Sequence, residues 1–154
     1  MQSQQPEQVG HCGPRTTHRL GNFLVGQTKL LDHVAIHVAD VETSCAWYEK
    51  ALRLEPMQRP AFNFPGAWYR LGENQSLHLI GERDPESEPV FGHNRGNHYA
   101  LMTDDMDEAE AYLQSVGIEY SPRRTRPDGA FQIYLTDPDG HVIEVCTEPG
   151  TAEV

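Results

Sequence analysis

The sequence predicts an α+β fold of two βαβββ modules, over about residues 30–81 and 97–147. Short stretches of alternating apolar and polar residues are typical of strands, while two longer stretches have the spacing of amphipathic helices. The order of one strand, one helix and three strands occurs twice. Equivalent residues are offset by 65 or 66 positions, as for His33 and His98 or for His78 and Glu144. A constant offset of this kind indicates an internal repeat.

The first module begins with a strand over about residues 30–38, where apolar and polar residues alternate. Asp40 is a suitable N-cap for a helix over residues 41–52. Three prolines follow, so a strand near residues 57–62 is expected only at a sheet edge. The stretches GAWYRLG and QSLHLIG predict two further strands around a turn at residues 72–74.

The second module follows a charged loop over residues 82–96 and repeats this order. The stretch NHYALMT predicts a strand, and DDMDEAEAYLQSVG predicts a helix with an acidic first turn and a glycine stop. IEYSP is expected to form a short strand and RRTRPD a loop. GAFQIYLTD and GHVIEVCT predict the last two strands, separated by the turn residues DPDG.

Length and composition indicate one globular domain over residues 29–148, with a flexible arm at residues 1–28 and a tail at 149–154. The 12 basic and 23 acidic residues give a net charge of -11, which argues against binding to nucleic acid or to anionic membranes. The arm lacks the apolar run of a signal peptide or membrane span. Three cysteines without metal-ligand spacing predict a reducing compartment, and we expect the cytoplasm.

Glu144 is unusual because it lies in a predicted strand that has no polar face. A buried carboxylate needs a partner, since removing an unpaired charge from water costs several kcal/mol or raises its pKa. A metal ion is one such partner. His33, His78 and His98 also lie among strand-forming apolar residues, at positions that the repeat relates to one another and to Glu144. Three imidazoles and a carboxylate are suitable ligands for a divalent transition metal.

The sequence resembles the vicinal oxygen chelate superfamily, which includes glyoxalase I, bleomycin-resistance proteins, fosfomycin-resistance enzymes, methylmalonyl-CoA epimerase and extradiol dioxygenases. The resemblance covers about residues 30–147 and rests on LDHVAIHVADVETSCAWYEKAL, GAWYRLGENQSLHLIG, NHYALMTDDMDEAEAYLQSVGI and FQIYLTDPDGHVIEV. It implies curved sheets around a metal-containing cavity, a small-molecule substrate, and a homodimer that often completes the cavity.

The resemblance also implies roles for individual residues. His33, His78, His98 and Glu144 match the four metal-binding positions of the glyoxalase and epimerase members, for one divalent ion of Ni, Zn, Mn, Co or Fe. Glu144 would be the catalytic base of isomerase or lyase chemistry through a chelated enediolate. The sequence departs from glyoxalase I at His78, where that enzyme commonly has an acidic or amide ligand. The paired carboxylates that transfer a proton in glyoxalase I would therefore be reduced to one.

Four further residues are candidates for substrate binding. His37 lies on the same strand face as His33, and Trp68 could stack on a substrate from its own strand. Arg123 and Arg124 begin a dense basic run whose guanidinium groups could bind a substrate carboxylate. Each of these four residues also has an ordinary structural interpretation, in the core or on a solvated loop.

Two other functions fit the same pattern. His33, His98 and Glu144 form the two-histidine, one-carboxylate set of non-haem Fe(II) oxygenases, so an extradiol-type dioxygenase is one alternative. A non-catalytic protein that sequesters a drug or metabolite, as bleomycin-resistance proteins do, is another. Thiol transfer to an epoxide, as in fosfomycin resistance, would need a cationic cluster, for which only residues 123–126 are available.

Overall fold

The computed structural model describes residues 31–84, 86 and 96–153, and these form the two expected modules. The predicted arm at residues 1–28 and most of the loop at 82–96 lie outside the described residues. The first module contains β1 (His33–His37), α1 (Val41–Leu52), β2 (Pro56–Met57), β3 (Gly66–Leu71) and β4 (Gln75–Ile80). The second contains β5 (His98–Met102), α2 (Met106–Ser115), β6 (Arg124–Thr125), β7 (Phe131–Thr136) and β8 (Val142–Cys146).

Each module forms its own four-stranded mixed sheet, and the two sheets have the same topology. The strand orders are β1-β4-β3-β2 and β5-β8-β7-β6. In each sheet the first and last strands of the module pair in parallel, while the other neighbours are antiparallel. The sheets are curved and are not closed on themselves. The repeat predicted from sequence offsets is therefore confirmed in the order and direction of the strands.

Helix α1 begins where the sequence predicts, and α2 lies within the predicted stretch of residues 104–117. Asp40 caps α1, with its side chain accepting a hydrogen bond from the Thr43 backbone N–H at 2.6 Å. Asp105 caps α2 in the same way, accepting from the Glu108 N–H at 3.0 Å. These hydrogen bonds satisfy backbone donors that have no partner inside a helix.

The short edge strands differ from the prediction in both modules. The strand expected near residues 57–62 is limited to β2, because the prolines that follow cannot donate to a strand ladder. The stretch IEYSP contributes one isolated bridge, between Tyr120 and Leu135. The edge strand of the second sheet is β6, from the stretch expected to be a loop, and it pairs with the start of β7.

One hydrophobic core joins the two modules. Strand alternation directs one face of each sheet into it, and buried side chains from both helices complete it. Its largest fully buried apolar side chains are Tyr48, Tyr69, Leu77, Leu79, Ile133, Leu135 and Ile143. The core therefore belongs to the whole described domain rather than to either module alone.

The turn between β7 and β8 also connects the modules, through two buried carboxylates. Asp137 accepts a hydrogen bond from the Tyr48 hydroxyl at 2.8 Å, and Asp139 accepts one from the Ser44 hydroxyl at 3.2 Å. Both donors lie on α1. Arg83 forms an ion pair of 2.9 Å with Asp139. The residues that mark a turn in the sequence therefore also attach the second module to the first.

The predicted tail packs on the loop between β6 and β7. Residues 151–153 form a 3₁₀ turn, and the Gly150 N–H donates to the Asp128 carbonyl at 2.8 Å. Neither helix of the described residues is long and apolar enough to span a membrane.

Candidate functional site

The four candidate ligands lie on the sheet faces that point away from the core. In β4, Leu77 and Leu79 are buried in the core, so His78 between them points to the opposite side. In β8, Ile143 and Val145 face the core, and Glu144 points away from it. His33 and His98 are the first residues of β1 and β5, beside β4 and β8. Each module therefore contributes one neighbouring pair of candidates.

The second-module pair, His98 and Glu144, is in direct contact. The Nε2 atom of His98 lies 3.0 Å from Oε2 of Glu144. The Glu144 side chain is 7% exposed and that of His98 is 26% exposed. The carboxylate is therefore held in the protein interior with one imidazole beside it.

Two more polar groups face the Glu144 carboxylate. The Tyr134 hydroxyl donates a hydrogen bond to Oε2 at 3.4 Å, and burial raises the pKa of Tyr134, as does the adjacent carboxylate. An Arg126 guanidinium nitrogen lies 3.5 Å from Oε1, too far for a good hydrogen bond. Oε1 is buried and accepts no hydrogen bond from any residue that the structure describes. Burying a carboxylate oxygen without a hydrogen bond costs free energy. Oε1 is therefore a candidate position for binding a further group, such as a metal ion or a substrate proton donor.

The first-module pair, His33 and His78, is stacked ring on ring. The ring centroids are 4.3 Å apart, with 12° between the planes. The Nδ1 atom of His33 contacts the Asp32 carboxylate at 2.6 Å, and the Nε2 atom of His78 contacts the Ser76 hydroxyl at 2.9 Å. Burial lowers the pKa of His78, and the adjacent His33 lowers it further.

The second-module pair fits a divalent metal. Two ligands on bonds of about 2.1 Å at right angles are separated by about 3.0 Å. The observed separation between His98 Nε2 and Glu144 Oε2 is also 3.0 Å. Among the described residues, no three His, Cys, Asp or Glu side chains come together in one group that could hold a metal ion. The structure thus shows two pairs, and the four-residue ligand set stays a prediction.

The structure places the four substrate-binding candidates in different surroundings. Trp68 stacks on His78, with ring centroids 4.0 Å apart. The carbonyl of His37 contacts the His141 ring at 2.8 Å, in the region where the modules meet. Arg123 forms ion pairs with Asp107 and Glu110 of α2, which raise its pKa. Arg124 is exposed in β6.

Of the two residues beside Glu144, Tyr134 had not been identified from the sequence, while Arg126 had been named only as part of the basic run at residues 123–126. Tyr134 lies directly opposite Glu144 in the β7–β8 hairpin. The register of that hairpin follows from the turn residues, so the sequence contained a usable signal for Tyr134. Arg126 lies in the loop after β6, and no regular spacing relates it to Glu144. Only the folded loop brings its guanidinium group to the carboxylate.

An apolar groove of about 200 Å³ lies between the end of α1, α2 and strands β5 and β8. None of the candidate ligands or substrate-binding residues lines it. Its lining residues are Ala51, Leu52, Arg53, Leu101, Met102, Thr103, Ala109, Tyr112, Leu113 and Val145. The polar groups that could perform chemistry are therefore outside this groove, on the opposite faces of the sheets.

Comparison with known proteins identifies the family. The chain is 32% identical over 121 residues to a protein named Glyoxylase I 4 from Arabidopsis thaliana, covering 75% of this chain and 69% of the relative. It is 27% identical over 122 residues to Metallothiol transferase FosB from Bacillus licheniformis, covering 76% and 74%. The crystal structure of a glyoxalase family protein from Enterococcus faecalis superimposes with a TM-score of 0.64 at 27% identity, covering 77% and 98%. The family model matches residues 30–145, and the chain belongs to the Glyoxalase/Bleomycin resistance protein/Dioxygenase superfamily.

Proposed function

We propose that this protein is a divalent-metal-dependent enzyme of the glyoxalase I type, with isomerase or lyase chemistry on a small molecule that carries two neighbouring oxygens. The relative named Glyoxylase I 4 supports this class. The observation that carries the proposal is the state of Glu144. Its carboxylate is buried beside His98, and one of its oxygens has no hydrogen bond to the part of the chain that the structure describes.

His98 and Glu144 would hold the ion, which is one of Ni, Zn, Mn, Co or Fe, with further ligands from the His33–His78 pair. The set of imidazole and carboxylate groups suits these metals. When bound, the ion would act as a Lewis acid that stabilises negative charge developing on the substrate oxygens.

Glu144 would act as the base. Its Oε1, which accepts no hydrogen bond from the described residues, can accept a proton from a substrate carbon next to a carbonyl group and return it to the neighbouring carbon. Because His78 occupies the position of a second carboxylate, Glu144 would perform both proton transfers. Tyr134, which donates to the other oxygen, would keep the carboxylate oriented during both transfers.

Replacing Glu144 with Gln tests this role. We expect turnover of a hemithioacetal formed from a 2-oxoaldehyde and a thiol to fall by about 100-fold or more, because an amide cannot accept the proton. The variant should still bind some metal, since the amide oxygen remains a ligand. Glu148→Gln is the matched control, because it makes the same chemical change at an exposed position two residues after the end of β8. Full activity in Glu144→Gln would refute the proposal.

We also propose that the protein acts as a homodimer in which the His33–His78 pair of one chain meets the His98–Glu144 pair of the other. Within the described residues, β1 lies at the edge of one sheet and β5 at the edge of the other. These edge strands begin with His33 and His98. A twofold axis that brought β1 of one chain to β5 of its partner would create two equivalent sites.

Mixing two inactive variants tests the shared site. His33→Ala changes the His33–His78 pair, and Glu144→Gln changes the His98–Glu144 pair. In a dimer of one variant chain with the other, both changes therefore fall in one site, and the second site is intact. After unfolding and refolding together, random pairing should restore about a quarter of the wild-type activity. Each variant refolded alone is the control. No recovery in a mixture that forms dimers would show that each site lies within one chain.

A second candidate function is thiol transfer, which is supported by Arg126 and by the metallothiol transferase relative. A guanidinium group beside Glu144 could bind an anionic group on the substrate. Thiol consumption in the presence of an anionic epoxide would favour this function, and isomerisation of the hemithioacetal would favour the first. The compartment we propose is the cytoplasm, since Cys45 and Cys146 are free thiols.

A further inference from the structure

Three rings form a continuous stack on the outward face of the first sheet. His78 lies in the middle, with Trp68 on one side at 4.0 Å and 7° and His33 on the other at 4.3 Å and 12°. The rings come from three adjacent strands. Trp68 and His78 are direct partners in the β3–β4 pairing, and His33 pairs with Ser76, two residues before His78. The stack is therefore set by the register of the sheet.

This stacked arrangement does not allow His33 and His78 to bind the same ion. An imidazole nitrogen binds a metal through a lone pair in the plane of its ring, so the ion lies in that plane at about 2.0 to 2.1 Å. Two rings that lie face to face with 12° between them have no common point at that distance. One of the rings would have to leave the stack before both could be ligands.

The hydrogen bonds favour His33 as the ligand of the two. Its Nδ1 contacts the Asp32 carboxylate at 2.6 Å, which leaves Nε2 as the acceptor. A carboxylate on the far nitrogen is the usual way in which proteins orient a metal-binding histidine. His78 instead has its Nε2 beside the Ser76 hydroxyl and both ring faces covered.

We infer that His78 is not a metal ligand but a positioning residue, which holds the His33 ring in place by stacking between it and Trp68. The inference rests on the proposed metal-dependent function and reduces the protein ligands from four to three: His33, His98 and Glu144. A six-coordinate ion would then keep three positions for substrate and water rather than two.

His78→Phe tests this role, because phenylalanine keeps a flat ring in the stack and removes both nitrogens. Co²⁺ affinity, measured by calorimetry on the full chain, should stay within about threefold of wild type. Pulsed electron paramagnetic resonance of the Cu²⁺-loaded protein should count two coordinated imidazoles in both wild type and His78→Phe. His98→Phe is the matched ligand variant and should lose one imidazole and at least about tenfold in affinity.

His78→Ala tests whether the ring at position 78 holds His33 in place or has no effect on metal binding. It should keep the count of two imidazoles but bind Co²⁺ several-fold more weakly than His78→Phe, because His33 loses its stacking support. Circular dichroism and thermal unfolding would verify that every variant is folded. Equal affinity in the alanine and phenylalanine variants would overturn the positioning role.

The remaining outcomes separate this inference from the proposed function. Two results would overturn the inference alone. One is a count of three coordinated imidazoles in wild type and two in His78→Phe. The other is a loss of Co²⁺ affinity in His78→Phe as large as that in His98→Phe. A wild-type protein that bound neither Co²⁺ nor Cu²⁺ would overturn the proposed function and this inference together.

Discussion

At the scale of single residues, neighbouring arginines with similar sequence surroundings have different tasks. Arg123, directly before β6, forms ion pairs with two carboxylates of α2, and its guanidinium group lies 5.0 Å from the Phe131 ring centre. Arg124 is exposed, while Arg126 reaches the Glu144 carboxylate. A basic run in a sequence therefore need not act as one anion-binding patch.

Arg123→Ala should lower the free energy of unfolding by about 1 kcal/mol, because it removes a two-carboxylate ion pair and a cation–π contact. Arg124→Ala is the matched control and should have no measurable effect. Urea unfolding of both variants provides the measurement. Equal stability of the two variants would show that the Asp107 and Glu110 contacts contribute nothing in solution.

At the scale of secondary-structure elements, each helix begins at an aspartate cap, and successive side chains of each strand point to opposite faces of its sheet. Alternation places the core residues of β4 and β8 on one side and the candidate ligands on the other. A one-residue shift in either strand would exchange these faces. The register is therefore what links the packing of the core to the location of the site.

The cap of α2 can be tested by changing Asp105. Asp105→Ala should destabilise the protein by about 1 kcal/mol, because the Glu108 backbone N–H loses its acceptor. Asp105→Asn keeps an acceptor oxygen and should restore most of that loss. Thermal unfolding monitored by circular dichroism would show the order wild type, asparagine, alanine. If asparagine were as damaging as alanine, charge rather than capping would explain the effect.

At the scale of the whole molecule, the joint between the modules is made by buried polar groups as well as by apolar packing. Asp137 is buried and accepts a hydrogen bond from the Tyr48 hydroxyl. The same hydroxyl accepts a hydrogen bond from Tyr99 of the second module at 3.3 Å. Burial raises the pKa values of both tyrosines. They remain protonated, so Tyr48 keeps a proton to donate to Asp137.

Asp137 makes stability depend on pH. Burial is the largest effect and raises the pKa of Asp137 above the ordinary value of 3.8, and the charge of Asp139 raises it further. Hydrogen bonds from Tyr48 and His141 and the charge of His141 act in the opposite direction. A raised folded pKa means that the native state binds the proton more tightly than the unfolded chain. The favourable contribution is therefore complete below the unfolded value and is lost as pH rises through the folded value.

Asp137→Asn removes this titration and tests the sign. The free energy of unfolding of wild type minus that of the variant should decrease as the pH rises above the ordinary carboxyl pKa of 3.8. Urea unfolding at a series of pH values measures that difference. A difference that increased with pH would mean that the hydrogen bonds outweigh burial and lower the pKa of Asp137.

Sequence reasoning was most successful where local rules apply. The bounds of α1, its capping residue Asp40 and the paired β7 and β8 follow from spacing and turn chemistry. It was least successful at the edge strands, where β6 formed in place of the expected strand in IEYSP. Edge strands are short and pair on one side only, so that tertiary neighbours rather than local propensity select which residues pair.

The repeated alternation of apolar residues was enough to determine the two modules, the faces of the strands and the positions of the four candidate ligands. Only the tertiary structure decided that His98 and Glu144 touch, that His33 and His78 stack, and that Arg126 rather than Arg123 reaches the carboxylate. Periodicity in a sequence specifies the direction in which a side chain points, because that direction depends on the local backbone. The orientation of a ring and the neighbour of a loop residue depend on contacts between distant segments, which no local pattern contains.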